Sequence, residues 1–436
     1  MYEYIVYVLL LAASAFLIAR SRHFKLTHIP TYWMLGAFAV KMLVGFVFFW
    51  TYSSHYSANQ IPPDAIRYVN DACILSELLP DHPRVFSALF FGYSIDDPLY
   101  DALSHQLIGW QSGYLYGLTN DCSTIIRLNV PIALLSHGLF HVHALVFSLL
   151  SFLGTIWLFK AFAAFIQPRQ ERWLWALLFL MPTPLFWTSA PTKEAALMPI
   201  FGGLMLLLSM WSRGQWSRKH AWYFIPLLPG LIFIKQYVVF ALLPGLIFWA
   251  LTRLFQTTRY LWLWIGTMLV CFVLAQHAHY FFIGGDFLYV LHKKLTDFTN
   301  VAHLQQAGSF VYVPPTQSID QFLVHFPEAF ALTYLRPYPW ELKSWIYLPF
   351  IVENILTCFL LVWTITHFRR PMASHRPMIW LAVSAVLAVA AILGNTVPIM
   401  GAIIRYRTPG LLLLFGFCLM CAAMPTWKTH LNKRHP

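Results

Sequence analysis

The chain has 436 residues, of which 59% are hydrophobic and 11% are charged. A soluble domain contains about 45–50% apolar and about 25% charged residues, so this composition excludes a soluble globular protein and predicts a polytopic membrane protein. The net charge of +12 does not indicate nucleic-acid binding, because the basic residues stand in short clusters between apolar runs rather than along one face or in a tail.

Eleven apolar runs are predicted to be membrane-spanning helices, which need roughly 20 residues each. Basic residues follow the first run rather than precede it, which predicts a retained helix and not a cleaved signal peptide. The runs cover approximately residues 4–19, 32–51, 144–166, 173–190, 195–211, 222–236, 237–252, 260–277, 346–366, 378–395 and 408–425.

Basic residues concentrate in alternate connections between these runs. By the positive-inside rule those connections are cytoplasmic, which puts the N-terminus outside and the C-terminus in the cytoplasm. The basic connections lie within residues 20–25, 169–172, 213–219, 253–259, 369–376 and 428–434. We therefore expect one membrane domain, residues 1–436, whose long connections 52–143 and 278–345 both lie on the outer side.

The two long connections are predicted to be folded. They are rich in Tyr, Trp, Phe and Leu, which disordered segments lack, and stretches such as "LNVPIALLSHGLFHVHA" are typical of helices lying in the membrane interface. The expected fold is an all-α polytopic membrane protein with about eleven transmembrane helices. Its two large outer loops are expected to contain interfacial helices.

The first outer loop contains two candidate catalytic carboxylates in "IPPDAIRYVNDACILSE". Asp64 follows two prolines, at the N-cap position of a helix predicted to begin at Ala65. Asp71 comes seven residues later and lies on roughly the same helical face. A carboxylate fixed here could deprotonate a hydroxyl or hold a divalent cation such as Mg²⁺ or Mn²⁺. The alternative is a helix cap and a solvated aspartate.

The stretch "WTSAPTKEAALMPI" places Lys193 and Glu194 side by side at the outer end of a predicted span. Ionised groups near a bilayer are costly and usually face a cavity or a partner. One interpretation is a mutual ion pair, with Glu194 stabilising the first turn of the next helix. The other is that Lys193 presents a cation to an anionic ligand while Glu194 holds it in position.

The second outer loop ends in "YLRPYPWELKSW", which brings Arg336 and Glu341 into a Pro-rich turn before a span. The pattern suits a supporting part of a site, and equally an interfacial anchor. Glu353 lies inside the following apolar run and is expected to need a cationic partner from the outer face.

The last outer loop, "GAIIRYRTPG", contains Arg405 and Arg407 on the side where positive charge is disfavoured. Alternate residues of an extended segment point the same way, so both guanidinium groups are expected to face one anion. Arginine binds phosphate in a bidentate manner. The alternative is that both arginines reach toward lipid headgroups.

Other chemistry has little basis in the sequence. Neither a phosphate-binding glycine loop nor a GxSxG motif occurs, which argues against nucleotide binding and hydrolysis by a serine triad. His137 and His141 have the spacing of a metal-binding helix face, but no HExxH motif accompanies them. Whether a metal takes part is left open.

The order of these segments resembles the GT-C superfamily of polytopic glycosyltransferases, specifically the ArnT-like and RgtA/B/C/D-like proteins. The resemblance is carried by "PPDAIRYVNDA", "TSAPTKEAAL", "RPYPWE" and "IRYRTP", in that order over most of the chain. It implies a transferase in the bacterial cytoplasmic membrane that uses a polyprenyl-phosphate-linked sugar at the outer face. The acceptor would be a glycan, a lipid or a protein.

The resemblance also implies roles for individual residues. Asp64 matches the catalytic acidic residue of the first outer loop, and Lys193 with Arg405 or Arg407 matches the positions that grip the donor phosphate. Two departures stand out. An extra leading helix places the catalytic loop after the second span, and Asp64-Ala65 replaces the paired acidic residues that are common in the family.

Rival functions follow from the same charges. A secondary transporter or lipid flippase would place ionisable residues near the bilayer midplane on broken helices, and Lys235 and Glu353 fit that pattern. A polysaccharide polymerase that joins lipid-linked repeat units would share the phosphate-binding residues. We therefore expect the depth of the charges to discriminate between transfer and transport.

Overall fold

The computed structural model describes residues 2–55, 63–107, 109, 121–255, 259–280, 285–304, 309–372 and 375–423. Within these ranges the chain is helical, and β-structure is limited to two isolated bridges, Phe310–Ile399 and Phe368–Ala422. The all-α prediction is therefore confirmed for the described part of the chain. The basic residues between 428 and 434 lie outside it.

Nineteen α-helices make up this part of the chain. The first ten are α1 (Tyr2–Arg20), α2 (Thr31–Trp50), α3 (Asp64–Asp81), α4 (Pro83–Phe91), α5 (Pro98–Gln106), α6 (Asp121–Ser136), α7 (Phe140–Ala163), α8 (Glu171–Phe179), α9 (Pro182–Trp187) and α10 (Lys193–Ser212). The others are α11 (Arg218–Ile234), α12 (Gln236–Phe255), α13 (Tyr260–Gln276), α14 (Phe287–Leu304), α15 (Ile319–Tyr334), α16 (Leu348–Thr366), α17 (Arg376–Thr396), α18 (Met400–Tyr406) and α19 (Thr408–Cys421).

Seven helical segments of the described chain are long and apolar enough to cross a membrane, and α18 with α19 forms an eighth that is bent by 55°. The seven correspond to α1, α2, α7, α10, α12, α16 and α17. A multi-pass membrane protein is thus supported. The count of eleven stays a prediction, because α11 and α13 are shorter and the predicted run 173–190 is divided between α8 and α9.

The helices α7 and α10 form the centre of the bundle, and their backbones are in direct contact. Gly154 of α7 lies against the Met198–Pro199 peptide, and a Cβ on Gly202 of α10 would overlap the carbonyl oxygen of Gly154. Small residues let membrane helices approach this closely. The contact fixes the position of α10, whose first two residues are Lys193 and Glu194.

One end of the bundle contains the long connections. The residues between α2 and α7 form α3 to α6, and α14 and α15 lie between α13 and α16. The N-terminal end of α1 belongs here too, because the Tyr2 ring packs on His137. The predicted loops 52–143 and 278–345 therefore contain helices.

The opposite end contains the short basic connections. There Lys160 donates to the carbonyl of His23 at 2.8 Å, and Arg253 donates to the carbonyl of Ser212 at 2.7 Å. Gln170 donates to the Ala422 carbonyl at 2.9 Å. The short basic connections and the long connections therefore lie at different ends of the bundle. The positive-inside pattern predicts such a separation.

Candidate functional site

Seven charged side chains meet at the end of the bundle that contains the long connections. We call this group the charged cluster. Its members come from four helices and one helix junction, and they are Asp64, Arg67, Asp121, Lys193, Glu194, Lys235 and Arg405. Ion pairs link them in two sets that share the N-terminus of α10.

Arg405 is the centre of the larger set. Its Nε donates to Glu194 Oε2 at 2.8 Å, and its second guanidinium nitrogen donates to Asp64 Oδ2 at 2.9 Å. Lys235 lies 2.9 Å from the other oxygen of Glu194, and Arg67 pairs with Asp64 one turn along α3. A planar guanidinium group can bridge two carboxylates in this way, whereas an ammonium group is a single point charge.

Lys193 belongs to the smaller set. Its Nζ lies 2.6 Å from Asp121 Oδ2 and 3.1 Å from Cys122 Sγ, both at the start of α6. Glu194 therefore pairs with Lys235 and Arg405, so the expectation that Glu194 holds Lys193 in position is wrong. Neighbours on a helix point about 100° apart, which sends adjacent residues to different partners.

The turn before α10 fixes the position of Lys193 and Glu194. Thr192 caps α10 by accepting from the Ala195 N–H at 3.2 Å, and its hydroxyl donates to the Trp187 carbonyl at 2.6 Å. Ser151 of α7 donates to the Thr188 carbonyl at 2.8 Å, and Lys41 of α2 donates to the Thr188 hydroxyl. Three helices thus hold the short turn that the sequence singled out.

Burial is graded across the charged cluster. The side chains of Glu194 and Lys235 are 1% and 6% exposed, whereas those of Asp64 and Asp121 are 33% and 41% exposed. Aromatic rings cover the cations: Lys235 lies 3.9 Å from the Tyr406 ring centroid, and Arg405 lies 5.5 Å from the Trp187 ring. The cluster is therefore closed on the side of the bundle and open on the side of the long connections.

The charged cluster has an excess of positive charge. Among the described residues that these ion pairs connect, four are cations and three are carboxylates. Among these seven residues, one basic group is therefore in excess of the acidic groups. A monovalent anion that enters from the open side would neutralise it.

The cations around Asp64 favour its ionised form. Its partial burial raises the pKa, but the positive charges of Arg405, Lys193 and Arg67 outweigh that effect and hold the pKa of Asp64 well below its ordinary value. Asp64 is also the first residue of α3, because the helix begins after Pro63 and no side-chain cap forms. The prediction that Asp64 caps a helix beginning at Ala65 is therefore wrong.

Arg407 does not join the charged cluster. The segment is helical rather than extended, since α18 runs to Tyr406, and residues two apart on a helix point in nearly opposite directions. Arg407 is fully buried and donates to Glu353 at 2.8 Å and to the carbonyl of Arg336 at 3.0 Å. The expectation that Arg405 and Arg407 face one anion is therefore wrong. Glu353 was expected to have a cationic partner, and the structure identifies that partner as Arg407.

The other predicted residues lie apart from Asp64. Asp71 is two turns further along α3, about 10 Å along the axis, where its Oδ2 would lie 2.9 Å from a Cβ on Gly109. Arg336 and Glu341 pair with each other, with Arg336 Nε donating to Glu341 at 3.1 Å. The Arg336 carbonyl accepts from Arg407, which lies outside the charged cluster.

Metal ligation was also open after the sequence analysis. In the portion of the chain that the structure describes, no group of three or more His, Cys, Asp or Glu side chains is arranged to hold a metal ion. The His141 ring packs on Phe46 and Phe49 instead. Cys418 and Cys421, a C-x-x-C sequence in α19, are free and buried.

Sequence reasoning assigned no site role to Arg67, Asp121 or Lys235. Lys235 carried a signal, because it separates two apolar helices and must find a partner when buried. Asp121 and Arg67 carried none, since the first long loop contains many charged residues. Comparisons with known proteins add nothing to these assignments, because no family model, no curated protein and no solved structure matches the chain.

Proposed function

We propose that the protein is a membrane glycosyltransferase. It would transfer a sugar from a polyprenyl-phosphate-linked donor to a lipid, glycan or protein acceptor at the outer face of the bacterial cytoplasmic membrane. The observation that carries the proposal is the meeting of Lys193 and Arg405 with Asp64 in a cluster that has one positive charge in excess. The resemblance to the GT-C superfamily supports the same reading.

The charge balance suits this donor. A lipid-linked sugar phosphate is a diester with one negative charge, which the charged cluster can neutralise. When the acceptor oxygen attacks the anomeric carbon, the bond between that carbon and the phosphate oxygen breaks, and its electron pair stays on the phosphate. The phosphate then carries about −1.5 to −2 charges. Preorganised cations stabilise such developing charge by a few kcal/mol per group.

The proton of the acceptor hydroxyl needs a base. Asp64 is a weak base while Arg405 and Arg67 hold it, because basicity falls with the pKa. In our proposal the donor phosphate takes over the guanidinium group of Arg405 and leaves Asp64 paired with Arg67 alone. Binding of the donor would therefore raise the proton affinity of Asp64, which can then take the proton of the acceptor hydroxyl.

The test is release of polyprenyl phosphate by purified protein. Undecaprenyl phosphate conjugates of glucose, galactose, mannose and arabinose would be incubated with the protein in proteoliposomes, with membrane extract as the source of acceptor. We expect turnover of at least one donor, reduced about 100- to 1,000-fold in Lys193→Met and in Arg405→Gln. Asp64→Asn should lose about 100- to 10,000-fold.

Lys160→Met is the matched control, because Lys160 lies at the opposite end of the bundle and bonds a backbone carbonyl. It should keep its turnover. Unchanged turnover in Lys193→Met and Asp64→Asn would remove the assignment of the site, provided that all variants elute as monodisperse protein.

A lipid flippase or transporter is the second candidate, and Lys41 is the observation that favours it. Lys41 lies in the middle of α2, is 4% exposed and donates to the Thr188 hydroxyl. Ionisable groups at this depth often mark transport pathways. Movement of the lipid-linked sugar across the proteoliposome membrane without release of polyprenyl phosphate would favour this candidate over transfer.

A further inference from the structure

Lys235 lies at the buried side of the charged cluster and is joined to Arg405 through Glu194. It stands between α11 and α12, outside both helices, and its N–H donates to the Leu231 carbonyl at 2.8 Å. Its side chain is 6% exposed and lies 2.9 Å from one oxygen of Glu194. The other oxygen of Glu194 accepts from Arg405 at 2.8 Å. One buried carboxylate therefore joins Lys235 to the guanidinium group proposed above to bind the donor phosphate.

Aromatic rings enclose the ammonium group of Lys235. Its Nζ lies 3.9 Å from the ring centroid of Tyr406 and 5.4 Å from that of Tyr237, and the Tyr237 hydroxyl donates to the Tyr406 carbonyl at 2.5 Å. Within the described part of the chain, the carboxylate that contacts this Nζ belongs to Glu194. Lys235 therefore acts on a ligand of the charged cluster through Glu194 and Arg405 rather than by direct contact.

We propose that Lys235 is a positioning residue that sets the affinity of Arg405 for the donor phosphate; the inference rests on the proposed function. While Lys235 carries its proton, it balances the charge of Glu194 and leaves the charge of Arg405 available to the phosphate. Without that proton, Glu194 and the phosphate compete for the same guanidinium group. The protonation of one buried amine would therefore regulate the binding of the donor.

The surroundings of Lys235 bring this protonation change close to neutral pH. Burial is the largest cause and lowers the pKa of Lys235 to about 8. The positive charges of Arg405 and Lys193 lower the pKa further, while the ion pair with Glu194 acts in the opposite direction. We therefore expect the affinity for the donor to fall as the pH rises through about 8.

Other titratable groups surround Lys235, and the experiment has to exclude them. Those facing it are Lys193 and Glu194 of α10, Arg405 and Tyr406 of α18, and Tyr237 of α12. Beyond them, Asp64 pairs with Arg405, and Asp121 and Cys122 contact Lys193. The variant Lys235→Arg distinguishes Lys235 from all of these groups, because it replaces only the titrating amine and a guanidinium group keeps its charge in proteins.

The test is the pH profile of donor binding. Farnesyl phosphate conjugates of glucose, galactose, mannose and arabinose would be titrated into the protein in detergent by calorimetry between pH 6.5 and pH 9.5. These conjugates are diesters, whose single charge does not change in this range. We expect the dissociation constant of wild type for at least one conjugate to rise about 10-fold, because the cluster loses one nearby positive charge.

Two substitutions of Lys235 separate its charge from its titration. Lys235→Arg should bind the conjugate about as tightly as wild type does at pH 6.5, and should keep that affinity up to pH 9.5. Lys235→Met should bind weakly at every pH, about as wild type does at pH 9.5. The control is Lys160→Met at the opposite end of the bundle, which should keep the wild-type profile.

The outcomes separate this inference from the proposed function. If no conjugate binds the wild-type protein at any pH, the phosphate site fails and the inference with it. Equal dissociation constants at pH 6.5 and pH 9.5 would overturn the inference alone. A pH dependence that persists in Lys235→Arg would assign the titration to another group and overturn the inference as well. If Lys235→Met does not fold, the profiles of wild type and Lys235→Arg decide.

Discussion

Asp64 faces two guanidinium groups, and this sets both its charge and its pH dependence. Because the folded-state pKa lies below the ordinary value, the ion pairs stabilise the fold above the unfolded pKa of about 3.9. That stabilisation is lost only as the pH falls through the lower, folded pKa. Between pH 5 and pH 8 the contribution of Asp64 is therefore constant.

This predicts a pH-independent difference between wild type and Asp64→Asn. Their midpoints of thermal unfolding in detergent should differ by the same amount at pH 5 and at pH 8, with the variant less stable at both. A difference that shrinks toward pH 5 would show that Asp64 titrates in this range, and would contradict the charge environment described above.

At the scale of elements, α10 depends on its glycines. A Cβ on Gly202 would overlap the backbone of α7, whereas a Cβ on the adjacent Gly203 would meet Trp157 and Leu227 at ordinary distances of 3.5–3.6 Å. We expect Gly202→Ala to lower the free energy of unfolding by at least about 1–3 kcal/mol. Gly203→Ala should raise it by up to about 1 kcal/mol, since alanine favours the helix.

Unfolding in mixed micelles of SDS and a mild detergent would measure both glycine variants. Opposite signs at neighbouring positions would support the described contact of α7 with α10. Equal effects would mean that the two helices do not approach as closely as Gly154 and Gly202 require.

Arg407 lies at the bend between α18 and α19. Both partners of the Arg407–Glu353 pair are 0% exposed, and breaking such a pair from one side typically costs about 3–5 kcal/mol. Glu353→Gln should therefore be strongly destabilised. The double variant Glu353→Gln/Arg407→Gln should be more stable than that single variant, because no charge is left buried without a partner.

The pair Arg336–Glu341 provides the matched comparison. Its side chains are 21% and 22% exposed, so Glu341→Gln should change the free energy of unfolding by less than about 1 kcal/mol. The same unfolding assay measures all of these variants. If the losses in free energy of unfolding for Glu353→Gln and Arg407→Gln were strictly additive in the double variant, the two charges would not interact.

The elements also show how far sequence reasoning reaches. Lys193, Arg405 and Asp64 could be predicted to share one end, because charge is scarce in this chain and alternates with apolar runs. Their partners could not, since Asp121 and Lys235 come from other helices and pairing depends on helix rotation. The segment at Arg405 was predicted to be extended, but it forms the short helix α18. Helices this short have little stability of their own, so tertiary contacts decide their conformation.

At the scale of the whole molecule, the two ends of the bundle differ in their charged residues. The long connections and the charged cluster lie at one end, and the short basic connections lie at the other. We predict that a cysteine at Ser94, an exposed residue between α4 and α5, reacts with a membrane-impermeant maleimide in intact cells. A cysteine at Ser217, exposed before α11, should react only after permeabilisation.

The chain with its native cysteines alone is the background for this labelling. The reverse pattern would invert the orientation and move the charged cluster to the cytoplasmic face, where a donor delivered to the outer leaflet could not reach it. Labelling of both positions in intact cells would indicate leaky cells rather than an orientation.

The distance along the chain between Asp64 and Arg405 has a consequence for biogenesis. The two residues are 341 positions apart, and ribosomes add about 5–20 residues per second, so Asp64 is made roughly 17–70 s before its guanidinium partner. Arg67 follows after three residues and can neutralise Asp64 during that interval. The nascent protein thus carries a temporary counterion for a carboxylate whose final partner is made 341 residues later.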